Sequence, residues 1–226
     1  MNSKNVLIIP DLHCPAMHPQ TIPFLKRIQK KFDCGKIIFI GDIVDHAAMS
    51  YHEKSPHMPG MHEEFLRAYK QVRRLYKAFP RAVWITGNHD ALSQRQATTA
   101  GIPEEFVRPL NEVYNVAGWQ MVPRFGEYEH NGVYYLHGDK GAGGKINPAF
   151  ANAVERGINI VQGHHHSTSG VLWMETGHKR VWGMQVGCML EPDVLAFAYG
   201  RKFNRKPMLG CGVVLDGMPI FIPYQK

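Results

Sequence analysis

The chain's 226 residues, 44% of them hydrophobic and 20% charged, have the balance of an ordinary soluble globular protein with enough length for one sizeable core. The apolar run after Lys4 ends at Pro10 and Asp11, too short for a signal-peptide core, and no segment approaches the length of a membrane span, so a cytoplasmic protein with no membrane partner is expected. The net charge of +7 favours anionic partners such as nucleotides or nucleic acid, and four scattered cysteines with no CxxC pair read as reduced thiols, not a zinc knuckle or disulfide framework.

In chain order, "NVLII" at 5–9 is the first of five short runs rich in β-branched and aromatic side chains, which read as buried strands. A weak helical pattern at about 20–31 precedes the second run, "KIIFI" at 36–40. The clearest helix is "HEEFLRAYKQVRRLYKAF" at 62–79, where Phe65, Tyr69, Val72, Tyr76 and Phe79 recur at alternating four and three residues. Glu63, Arg67, Lys70, Arg74 and Lys77 fall on its other face. Glu63 and Glu64 suit the positive end of the helix dipole, and Pro80 stops it. "AVWIT" at 82–86 and "VYYL" at 133–136 are the next strands, followed by a weak helix at 148–156 and the strand "INIV" at 158–161. Beyond about residue 170 the helices cease, and "VLWM", "RVWGMQV", "CGVVL" and "PIFI" read as strands of a second, more antiparallel layer. The alternation argues for an α/β architecture, and with no Ser/Gly-rich linker a single domain over residues 1–226 is expected.

Each of the five runs is followed at once by side chains of types able to bind metals. They are Asp11 and His13; Asp42 and Asp45; Asn88, His89 and Asp90; His137 and Asp139; and the unusual "GHHH" of 163–166. Ligands of α/β sheets bind where the strands end, and a glycine beside most of these clusters allows the sharp turn such a site needs. In an extended segment residues i and i+2 point to one side, so Asp11 and His13 are expected to converge on one ion. By the same spacing His164 and His166 converge, with His165 turned away. Carboxylate, imidazole and amide donors without a thiolate suit manganese, iron, zinc or cobalt better than calcium or copper(I).

The ordered series DxH, GDxxD, GNHD, H and GHxH, running from Asp11 to His166, resembles the calcineurin-like metallophosphoesterase superfamily. The resemblance implies a four-layer αββα sandwich of two mixed β-sheets flanked by helices, with a dinuclear site at the C-terminal ends of the strands. It implies two divalent ions per chain, manganese first among them, with iron, zinc, cobalt or nickel as alternatives. By position, Asp11, His13 and His166 match the ligands of the first ion, and Asp42 matches the carboxylate that bridges both. Asn88, His137 and His164 match the ligands of the second. His89 matches the catalytic histidine that contacts the phosphate and assists the leaving group, and Asp45 the acid that orients it. Two positions depart from relatives: the phosphoprotein phosphatase branch has an arginine where this chain has His46, and Asp139 stands where many relatives have a second histidine after the glycine.

These residue types suit the chemistry. Two metals roughly 3.5–4 Å apart lower the pKa of a bound water and clamp phosphoryl oxygens for in-line attack. His89 would give a proton or strong hydrogen bond to the departing oxygen, with Asp45 or a backbone group fixing its tautomer. Plainer readings stand for other residues. Asp45 serves equally as a cap for the following segment; Asp90 and Asp139 read as supporting acids, not ligands; Cys14 reads as packed beside His13. "GDKGAGGKIN" is not a P-loop, since Asp139 and Ile146 occupy positions that need glycine and a hydroxyl.

For the substrate, the favoured reading is a phosphodiester of nucleotides or nucleic acid. Its basis is the basic charge, His46 in place of the phosphate-gripping arginine, a long wall at 46–62 with neither helical nor strand period, and Lys140 and Lys145 as attractors for a phosphate backbone. A phosphomonoesterase, of protein phosphatase or dinucleoside-polyphosphate hydrolase type, is the alternative. A non-catalytic metal-binding scaffold is a third, and the presence of His89 and all seven ligand positions weighs against it.

Overall fold

The computed structural model describes residues 2–51, 57–140, 146–191 and 206–225. The elements run β1 (Asn2–Ile9), α1 (Thr21–Lys31), β2 (Cys34–Phe39), α2 (Met61–Ala78), β3 (Ala82–Ile85), α3 (Leu92–Thr99), α4 (Leu110–Val113) and β4 (Trp119–Val122). They continue with β5 (Tyr128–His130), β6 (Val133–Leu136), α5 (Pro148–Arg156), β7 (Asn159–Gln162), β8 (Ser169–Glu175), β9 (Arg180–Val186), β10 (Gly210–Leu215) and β11 (Met218–Pro223). Short 3-10 turns lie at Ala47–Met49 and Glu104–Phe106.

Two mixed sheets form, one ordered β11-β10-β1-β2-β3-β4 and the other β5-β6-β7-β9-β8. Strand alternation places a core on each face of the first sheet. Leu7, Ile9, Ile37 and Phe39 point to the helical side, where Leu25 and Ile28 of α1 and Ala68, Val72 and Leu75 of α2 meet them. Val6, Ile8, Ile38 and Ile40 point the other way, against Tyr135, Val161, Trp182 and Met184 of the second sheet. A small third core of Leu136, Ala153 and Ile160 joins that sheet to α5. The order is therefore helix, sheet, sheet, helix, the sandwich expected. Strands buried on both faces need near-continuous apolar runs, and "NVLII" and "KIIFI" supply them.

The C-terminal strands do not make a layer of their own. β8 and β9 complete the second sheet, β9 pairing parallel to β7, whereas β10 and β11 extend the first sheet antiparallel to β1. Burial explains the split: β10 carries five buried residues in a row, so it needs a strand on each edge and a layer on each face. In α2 the buried stripe is Glu64, Ala68, Val72 and Leu75, while Phe65, Tyr69 and Tyr76 are partly buried at its flank. All four cysteines are buried and free. No helix among the described residues is long and apolar enough to cross a membrane.

Candidate metal centre

The loops leaving β1, β2, β3, β6 and β7 meet at one place, and backbone hydrogen bonds lace the first two together. The amides of Leu12 and His13 donate to the Asp42 carbonyl at 3.0 and 2.9 Å, and that of Cys14 to Ile43 at 2.8 Å. The backbone reverses sharply here: His13, Asp42 and His164 all take positive φ, of 48°, 46° and 67°. Non-glycine residues adopt this region at a cost and mostly where surrounding contacts impose it, as at binding sites. Gly87 and Gly163 admit close approach, since a Cβ at either would collide with the carboxylate of Asp42 or Asp11.

All seven expected ligand positions and both expected catalytic positions lie in this cluster. Asp11, His13 and His166 form one group of donor atoms within 4.8 Å of one another, and Asp42, His137 and His164 form a second. In the first, His166 Nε2 stands 3.1 Å from Asp11 Oδ2 and 3.2 Å from His13 Nε2. In the second, His137 Nε2 is 3.2 Å from Asp42 Oδ2 and 3.0 Å from Asn88 Oδ1. Asp42 also lies 3.8 Å from His13 Nε2, so it stands between the groups. The spacing rule is corrected here. His164 and His166 fall in different groups, as the family positions imply and the spacing alone does not, and the backbone at His164 is left-handed where the rule assumes an extended one. His165 is half-buried and its ring packs edge-on to His164.

The residues fit divalent cations. Asp11 Oδ1 is buried with no hydrogen-bond partner. Two imidazole nitrogens facing each other at 3.2 Å can share one proton at most, whereas both lone pairs suit a cation. The cluster also demands positive charge: although burial opposes it, the carboxylates of Asp42, Asp11 and Asp139 pull the His137 pKa up to about 10. Burial and the neighbouring His137 push His164 the other way, to about 4, leaving it neutral and able to ligate.

His89 sits on the Asp42 side of this arrangement. Its amide donates to Asp42 Oδ1 at 2.8 Å, and its ring Nδ1 lies 2.9 Å from both the carbonyl and the carboxylate of Asp45. Burial disfavours its charge, but Asp42 and Asp45 outweigh that and raise its pKa to about 10. The same Asp45 oxygen is 2.8 Å from His13 Nδ1, so one buried carboxylate orients two imidazoles. Despite burial, hydrogen bonds from His13 and His89 hold that carboxyl well below the usual range. Asp90 accepts from the amides of Val44 and Gly87 and from Trp84 Nε1, at 3.0, 2.9 and 2.9 Å, tying the third loop to the second. Asp139 pairs with Arg124 at 2.7 Å.

Several supporting residues carried no sequence signal. Glu64, legible only as a helix-opening acid, accepts from the amides of Ala47 and Ala48 at 2.7 and 2.8 Å and pins the turn after Asp45. Gln185 of β9 donates to the carbonyl of Gly163 and steadies the "GHHH" turn. His46, expected in the outer wall, is withdrawn from the surface. It is buried, with Nε2 2.9 Å from the Tyr114 hydroxyl, and burial lowers its pKa to about 4. Of the expected outer wall, residues 52–56 lie outside the described residues, as do Lys145 and the rest of 141–145; Lys140 is exposed.

A sandwich of this order, with His and Asp clusters of metal-holding geometry at its strand ends, has the form of a metal-dependent phosphoesterase. The chain matches the model of the Calcineurin-like phosphoesterase family over residues 4–200 and belongs to that family. No curated protein matches it. Among solved structures, the crystal structure of Vps29 from Chaetomium thermophilum is similar at 13% identity and a TM-score of 0.41, over 92% of this chain and 82% of that one.

Proposed function

We propose that the protein is a two-metal phosphodiesterase acting on nucleotides or nucleic acid. The observation that carries the reading is a shared carboxylate, Asp42, between two donor groups, with a histidine of raised pKa beside it. Asp11, His13, Asp42 and His166 would hold one ion, and Asp42, Asn88, His137 and His164 the other, with manganese the first candidate. When bound, the two ions supply Lewis acidity that activates water and offsets charge on the phosphoryl oxygens.

The chain's own residues do the rest. His89 keeps Nδ1 on Asp45, which leaves Nε2 to carry the proton given to the departing oxygen. Asp45 fixes that ring and His13 together, so ligand and acid keep one relative geometry. The preference for a diester rests on charge. A monoester dianion needs an additional cation, and the residue at the matching position, His46, is buried and neutral at pH 7. A diester monoanion needs none, and the net charge of +7 suits a polyanionic substrate.

Comparing kcat/KM for bis-nitrophenyl phosphate and nitrophenyl phosphate, on stripped protein reloaded with manganese, tests the reading. The diester should be favoured. A clear preference for the monoester makes the protein a phosphomonoesterase.

A further inference from the structure

The second donor group carries a support that the two-metal chemistry does not use. Arg124 Nε donates to Asp139 Oδ2 at 2.7 Å, with side chains 23% and 5% exposed. Among the described residues no other lysine or arginine ion pair is so buried. Its members come from different sheets: Arg124 lies on the crossover from β4 to β5, and Asp139 follows β6. β4 runs parallel to β3, so both strands end beside the cluster, and the Thr86 amide joins those ends by donating to the Val122 carbonyl at 2.9 Å. Asn88 stands two residues beyond Thr86, and Arg124 two beyond Val122. On the opposite sheet Asp139 stands two residues beyond His137, whose Nε2 is 3.0 Å from Asn88 Oδ1. The contacts close a circuit from Arg124 through Val122, Thr86, Asn88, His137 and Asp139 back to Arg124.

We propose that Arg124 and Asp139 are positioning residues for the second ion, a clasp that fixes Asn88 relative to His137. The inference rests on the two-metal reading and adds to it which contact governs one ion and not the other. Asn88 and His137 come from opposite sheets, so a charge-assisted bond between the segments that carry them sets their separation. Gly138 passes that hold to His137. It packs so closely on the Gln162 amide that a Cβ would come within 2.8 Å, which leaves Asp139 and His137 little freedom to move apart. The first group, Asp11, His13 and His166, lies outside the circuit: β2 and β3 separate β1 from β4, and His166 follows β7. Burial gives the clasp its force. Without Arg124 the Asp139 carboxylate would be buried and unpaired, and its loop would shift to rehydrate it.

Manganese binding to the stripped full chain, measured by equilibrium dialysis and elemental analysis in two backgrounds, isolates the effect. His166→Ala removes a donor of the first group, so the ion that remains reports on the second; His164→Ala does the reverse. Adding Arg124→Ala should weaken binding roughly 10–100-fold in the His166→Ala background, the usual loss from an outer partner of a metal ligand. In the His164→Ala background it should change binding by less than about twofold, as for independent sites. Arg124→Lys keeps a cation for a carboxylate that takes only the Nε contact, and should recover most of the loss. Asp139→Asn, alike in shape but uncharged, should reproduce the selective loss and serves equally if Arg124→Ala does not fold. Equal losses in both backgrounds, as a merely structural role would give, or no loss in either, overturns the clasp while a wild type holding two ions leaves the two-metal reading standing. A wild type that takes up one ion or fewer refutes the two-metal reading, and the clasp's second ion with it.

Discussion

One oxygen of Asp45 serves both His13 and His89, at 2.8 and 2.9 Å, and this divides the work of the two histidines. His13 presents its other nitrogen to the donor cluster, whereas His89 is argued to act on substrate. His89→Ala should therefore retain its metals, read by elemental analysis, while kcat falls by roughly 10²–10⁴-fold. The deficit should shrink for nitrophenolate leaving groups, which need little protonation; an undiminished deficit would make His89 a positioning residue. His46 yields a prediction of a different kind. Burial lowers its pKa to about 4, against the partial relief given by the carbonyls of His89 and Asp90 and the carboxylate of Asp45. A depressed folded-state pKa leaves stability intact above about pH 6.5 and removes it as pH falls towards 4, because only the unfolded chain accepts the proton. Between pH 7 and 5 the loss from this group should be about 2 kcal/mol. Denaturant unfolding of stripped protein should show His46→Gln losing that much less than wild type over the interval. Equal losses would mean that His46 titrates normally.

At the level of elements, the turn after β7 carries the most information. His164 and His166 belong to different donor groups, so replacing either with alanine should abolish turnover and reduce metal retention, each by removing a ligand from one side of Asp42. His165→Ala should be mild by comparison. Equal loss from all three, in activity and in metal content, would contradict the division. What the sequence made legible here, and what it did not, follows from range. The donors were readable because each sits directly after an apolar run, a local pattern. Their partition followed from the resemblance and not from the i, i+2 spacing, because the positive φ of His164 goes with contacts from afar: the His164 amide donates to Asp11 and Gln185 holds the Gly163 carbonyl. Glu64 shows the same limit, a local dipole signal masking a bond to residues 16 and 17 positions earlier. β4 and β5 gave no signal because they are edge strands of four and three residues. The tail strands were legible as strands but not as members of different sheets, since pairing partners lie far away in the chain. Asn131-Gly132 and Asp216-Gly217, each with two positive φ values, form the turns of β5–β6 and β10–β11, a local hairpin pattern that the reading of the sequence did not use.

For the whole molecule, the sandwich explains why the centre is built from five separate segments. Asp11, Asp42, Asn88 and His89 come from the first sheet, and His137, His164 and His166 from the second, so the cluster forms only when the inter-sheet core of Ile8, Ile40, Tyr135 and Val161 closes. Donor side chains drawn from two rigid sheets are held in fixed relation, which the proposed pair of ions sharing one carboxylate would require. The most direct test is to titrate stripped protein with manganese, following bound metal by elemental analysis and hydrolysis of bis-nitrophenyl phosphate in parallel. Activity should be absent without metal and saturate as bound metal approaches two ions per chain, with Asp42→Asn deficient in both. A plateau at one ion or fewer, or two bound ions with no hydrolysis of any phosphate ester, would contradict the two-metal account.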